Sequence, residues 1–147
     1  MHHVGLAPLA GAVSKAGGLG CVTALSLPTP EKLREEIRRA REIAGPSNPI
    51  GVNLTLLPML VPPDYGKYLD VVIEEGIPVV ETAGHVNGLK EFVERLKAEG
   101  RFVMHKCTSV RHAKSAQKLG VDMISMDGFG MYRNIDQTIA LTYFIAL

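Results

Sequence analysis

Short apolar segments alternate with amphipathic ones along most of this chain. The apolar segments are Leu19–Leu25, Pro49–Leu56, Pro78–Ala83, Arg101–Thr108 and Val121–Asp127. Each is bounded by Gly or Pro and enriched in Val, Ile, Thr, Phe or Met, the pattern of a buried strand. Between them, apolar residues recur at helical spacing. Thr29 is placed as an N-cap with Pro30 at the first helical position, and Leu33, Ile37, Ala40 and Ala44 then share one face. Glu35 and Arg39 add a supportive i,i+4 pair. Asp64 opens the next helix, with Tyr68, Leu69, Val72 and Ile73 inward and Gly76 ending it. Asn87 caps a third, with Leu89, Phe92, Val93 and Leu96 inward and Gly100 at its end. Thr108 or Ser109 caps a fourth that closes at Gly120, and a shorter helix from Ala7 to Ala16 precedes the first strand.

Five strands alternating with helices predict a parallel α/β sheet with right-handed crossovers. Two architectures satisfy that order: an open doubly wound sheet and a (β/α)8 barrel. Polar Asn53, Glu81, Lys106 and Asp127 cluster near strand ends, where barrel strands carry functional residues. A barrel takes ~250 residues and eight strands. The pattern leaves both open; if the chain is a barrel, it is an incomplete (β/α)8 TIM barrel, lacking one strand in front and two behind, with open sheet edges. Residues Phe129–Leu147 break the texture. Asp136 is placed to cap a short helix, but Thr138, Ile139, Thr142 and Ile145 disfavour one. On the barrel reading, residues 1–128 form a partial barrel and 129–147 a divergent apolar tail, which either packs on the exposed sheet or promotes aggregation.

Composition narrows the function classes. Sixteen Lys and Arg against fifteen Asp and Glu leave a net charge of +1, which gives no electrostatic case for a nucleic-acid partner. The longest membrane-like run, Gln137–Leu147, falls short of the ~20 apolar residues of a spanning helix. No signal-peptide pattern opens the chain. Cys21 and Cys107 form no CxxC, so both are expected to be reduced core thiols in a cytoplasmic protein.

The candidate chemistry is sparse. Gly17-Gly18-Leu19-Gly20 follows a helix and precedes a strand, the reverse of a phosphate-binding loop, and reads as a helix end and tight turn. His105, Cys107 and His112 lack a fourth metal ligand at a recognised spacing. His2 and His3 read as a tag remnant or disordered start, and His85 as a solvated loop residue just past a strand. Asn53 lies in an apolar strand, so its amide bonds either backbone or a polar ligand. Lys106 in such a strand demands an anionic partner: a flavin, or Glu81 or Asp127.

Six blocks in order carry a family resemblance: MHHVG at the start, AVSKAGGLG over 12–20, GVNLT over 51–55, VETAG over 80–84, HKCTSVRHA over 105–113, and GVD through MDGF over 120–129. Together they resemble the nitronate monooxygenases, formerly 2-nitropropane dioxygenases, whose close relatives are the flavin-dependent enoyl-ACP reductases. The resemblance implies an FMN-binding TIM barrel that oxidises alkyl nitronates with O2 to carbonyl compounds and nitrite. By motif, it implies that Met1, Asn53, Lys106, Asp127 and Gly128 border the flavin. No catalytic residue carries over, because Gly130–Asn134 stands where the family has a His-bearing loop. The chain alone is therefore expected to bind FMN weakly or not at all and to be inactive. The alternatives are a non-catalytic fragment that associates through open sheet edges, and an enoyl-ACP reductase relative. Asn53 and Lys106 are expected to point into the barrel, with His105 and Cys107 pointing toward the helices.

Overall fold

A computed structural model describes residues 3–56, 60–84, 89–126 and 143–146. In chain order the elements are α1 (Ala7–Lys15), β1 (Gly20–Thr23), α2 (Pro30–Ala44), β2 (Ile50–Thr55), α3 (Tyr65–Glu74), β3 (Val79–Ala83), α4 (Leu89–Ala98), β4 (Phe102–Cys107), α5 (Val110–Lys118), β5 (Met123–Met126) and β6 (Tyr143–Ala146). A 3-10 turn, Ala24–Ser26, follows β1.

The sheet runs β1-β2-β3-β4-β5-β6. Strands β1 to β5 are mutually parallel, and β6 pairs antiparallel with β5. Spatial order follows chain order without the reversal that defines a doubly wound sheet. Right-handed crossovers all stepping the same way lay their helices on one face. These are consecutive βα units of a (β/α)8 barrel, seen as an open arc.

The helices form because their polar ends are capped and their apolar stripes have somewhere to go. Thr29, Asp64 and Ser109 accept from the backbone N–H of Lys32, Lys67 and His112 respectively. Leu33, Ile37 and Ala40 of α2, Leu69 and Val72 of α3, and Val93 and Leu96 of α4 are fully buried. They meet Val22, Val52, Leu54, Val80, Val103 and Ile124 from the sheet in one core. Each such Leu or Ile contributes roughly 1.5–3 kcal/mol. Across the outer layer, Arg34, Arg38 and Arg41 of α2 converge on Glu75 at the end of α3. Burial alone would raise the Glu75 carboxyl, but hydrogen bonds from Arg38 and Arg34 outweigh it and hold the group below the usual carboxylate range.

Helix α1 is clamped to the start of the sheet. A Cβ on Gly20 would lie 1.9 Å from the Ala10 carbonyl oxygen, so only glycine permits this approach. The Ser14 hydroxyl accepts from Gly20 N–H at 2.9 Å and donates to the Pro49 carbonyl at 2.7 Å, joining α1 to both β1 and the entry to β2. Gly17 ends α1 at φ +90°, the turn geometry expected of this glycine run.

Within the tail, Tyr143–Ala146 is a strand along the β5 edge. Its aromatic and β-branched composition suits that pairing. At the start of the chain, the His3 backbone N–H donates to the Ser26 hydroxyl at 2.8 Å.

Candidate functional site

Period-two alternation gives the sheet two chemically different faces. One register level aligns Thr23, Asn53, Glu81, Met104 and Met123. The level two residues further on aligns Thr55, Ala83, Lys106 and Ser125. All of these face away from the helices. The intervening positions (Val22, Val52, Val80 and Val103, then Leu54, Thr82, His105 and Ile124) face them. Asn53 and Lys106 therefore share the inner face. His105 and Cys107 lie on the helix side, where Thr82 Oγ1 and His105 Nδ1 are 2.8 Å apart. Burial among apolar side chains raises the Cys107 thiol.

On the inner face, three adjacent strands contribute one polar network. Asn53 Nδ2 donates to Glu81 Oε2 at 2.6 Å, and Thr55 Oγ1 donates to Asn53 Oδ1 at 2.9 Å. Lys106 Nζ stands 3.5 Å from Glu81 Oε1. Of the anionic partners the sequence offered Lys106, Glu81 on the neighbouring strand stands beside it, and Asp127 lies outside the described residues. The Glu81 side chain is 7% exposed and that of Lys106 22%, so the pair is largely withdrawn from solvent.

Cys21 requires a correction. It is not a core thiol: Val22 turns to the helices, so the residues on either side of it turn inward. Burial pushes its thiol up to about 12, with the Glu81 charge adding to the rise and Lys106 opposing it.

The face opens onto a cavity of about 600 Å³. Its walls are mostly apolar, from Leu9 and Val13 of α1 and from Met104 and Met123, and Glu81, Lys106 and Ser125 supply polar atoms. Two buried hydroxyls on this face, Thr23 Oγ1 and Ser125 Oγ, have no hydrogen-bond partner among the described residues.

Of the sequence-predicted site residues, Asn53 and Lys106 are thus brought together through Glu81. Met1, Asp127 and Gly128 lie outside the described residues, as do His85, Asn87 and Asp136. Among the described residues no group of three His, Cys, Asp or Glu side chains is placed to hold a metal ion. Thr55 and Ser125 escaped the sequence reading, and Cys21 was read there as a core thiol. The signal for the first two was parity, since each sits two positions from a residue already singled out on the same strand or at its end.

The family model described as nitronate monooxygenase matches residues 1–131. The chain belongs to this family. Its members are flavin-dependent oxidoreductases. The chain is similar to the structure of FabK from Thermotoga maritima, with 32% identity and a TM-score of 0.70 over 83% of this chain and 36% of that one. It is also similar to a nitroalkane oxidase from Streptomyces ansochromogenes, with 24% identity and a TM-score of 0.65 over 82% and 42% respectively. A putative dihydrodipicolinate synthase family protein from Coccidioides immitis, at 17% identity and a TM-score of 0.50 over 76% and 41%, shares the fold. The family chain thus spans 36% to 42% of the length of these structures.

Proposed function

We propose that this chain supplies part of the flavin-binding inner face of an FMN-dependent nitronate monooxygenase. Such an enzyme oxidises alkyl nitronates with O2 to carbonyl compounds and nitrite. The observation that carries the reading is the Asn53–Glu81–Lys106 network standing on the face opposite the crossover helices. The residues present fit the group. A mostly apolar wall suits a flat aromatic ring system, and the orphaned Ser125 hydroxyl beside Lys106 lacks only a polar partner. Asn53 and Lys106 would hold the ring's polar edge. Met1, Asp127 and Gly128 join them by motif.

When bound, FMN supplies the redox chemistry. The chain's own residues bind, orient and exclude water. The Lys106 ammonium would give positive charge to an electron-rich edge, and Met104 and Met123 would cover apolar ring surface. No helix among the described residues is long and apolar enough to cross a membrane, and we place the enzyme in the cytoplasm. Because the chain spans under half of the structures it resembles, we expect no nitronate turnover from it alone.

Titration with FMN, followed by flavin fluorescence, tests the site. Weak saturable quenching is expected, weakened about tenfold or more by Lys106→Met or Asn53→Ala. Quenching that neither substitution moves refutes the placement, and stoichiometric yellow flavin after purification refutes the expected weakness. The second reading, an enoyl-ACP reductase relative, uses the same face. Extended to the length of its relatives, that protein would oxidise a nicotinamide in the presence of an enoyl thioester and leave nitronates untouched.

A further inference from the structure

We propose that Glu81 is a positioning residue: its carboxylate holds the Asn53 amide with one oxygen and the Lys106 ammonium with the other, setting where both donors stand for the flavin. The inference rests on the inner-face reading above and adds a role for a residue that the family motif does not assign.

The placement follows from register. Glu81 lies on β3, between the strands that carry its two partners, directly opposite Asn53 and one level from Lys106. A single side chain there reaches both neighbours. The contacts differ in kind. The 2.6 Å bond to Asn53 is short and charge-assisted. With Thr55 on the amide oxygen, it fixes which way the amide faces. The 3.5 Å separation from Lys106 exceeds a hydrogen bond, so Glu81 holds the ammonium by charge rather than by a fixed donor direction.

Stability gives little reason for the arrangement. A buried ion pair is often no better than apolar residues of the same volume. The neighbours at the same level, Met104 and Met123, show that apolar side chains are accommodated on this face. The carboxylate is accounted for by what it orients.

The test uses the 147-residue chain with Glu81→Ala and Glu81→Gln, read by side-chain amide NMR of Asn53, by Cys21 reactivity toward an aromatic disulfide, and by FMN titration. Glu81→Ala is expected to shift the Asn53 amide signals and speed their exchange. Glu81→Gln keeps an acceptor for Asn53 and should leave those signals in place. It should still make Cys21 react faster at a given pH and weaken FMN about tenfold. A merely structural glutamate would move the melting temperature and not this split between the two variants. Unchanged Asn53 signals in Glu81→Ala overturn the positioning role. If that variant does not fold, Cys21 reactivity in Glu81→Gln equal to wild type does the same. Wild-type chain that takes up no FMN refutes the weak binding proposed above, and the Asn53 and Cys21 signals then judge the positioning claim separately.

Discussion

The inner face makes a quantitative demand on the Cys21 thiol. Its titration lies at about 12, against an ordinary 9.0, because burial and the Glu81 charge both penalise the thiolate. At pH 8 that displacement makes the thiolate about a thousandfold scarcer than in an ordinary cysteine. A more basic thiolate is also a better nucleophile, and a Brønsted slope of about 0.4–0.5 returns a factor of roughly 20. The net expectation is reaction about fiftyfold slower than an unhindered thiol. The assay is release of the coloured thiolate from an aromatic disulfide by a Cys107→Ala chain, native and in guanidinium, at several pH values. Steric shielding and charge environment separate by slope. A shielded but otherwise ordinary thiol levels off near pH 9.0, whereas Cys21 should keep accelerating about tenfold per pH unit beyond pH 10. A plateau near pH 9.0 would refute the electrostatic account of this face. The linked stability has a definite sign. The folded thiol titrates above its unfolded value, so its contribution is whole below pH 9.0 and is lost as the pH climbs toward 12.

Three other outcomes follow from the packing. Glu75→Ala should destabilise by roughly 1.5–3 kcal/mol near neutral pH, because three arginines lose one shared acceptor. The Glu75 carboxyl is held low, so its stabilisation exists above the ordinary carboxylate range and disappears as pH falls through its folded value. Urea melts at descending pH should show the variant's deficit shrinking toward the acid end. Gly20→Ala should cost at least about 2 kcal/mol, since its Cβ would sit 1.9 Å from a backbone oxygen that no rotamer change can move; a melt within error of wild type would show that α1 is not clamped there. Leu33→Ala, at a fully buried position of α2, should lower urea stability by about 2–5 kcal/mol.

The sequence carried the order of elements well because the local signals agreed with one another. Thr29-Pro30, Asp64 and Ser109 are caps whose side-chain oxygens perform the predicted bonds. Alternation correctly sent Lys106 to one face and His105 and Cys107 to the other. Where the reading failed, the deciding information was non-local. Leu19–Leu25 looks uniformly apolar, yet the strand ends at Thr23 because Ala24–Ser26 turns, and nothing in so short a run shows which face Cys21 takes. The partner of Lys106 was one of several carboxylates on paper. The register between β3 and β4 is what brings Glu81 beside it. The tail's pairing with β5 spans a sequence gap that no periodicity bridges.

Strand β6 also bears on assembly. A strand edge offers one row of backbone donors and acceptors, and along β5 that row is engaged by an antiparallel neighbour. A parallel stave joining the arc at that side could do so only after β6 had let go. Growth of the cylinder past β5 and retention of this terminal hairpin-like seam are mutually exclusive states of the same edge.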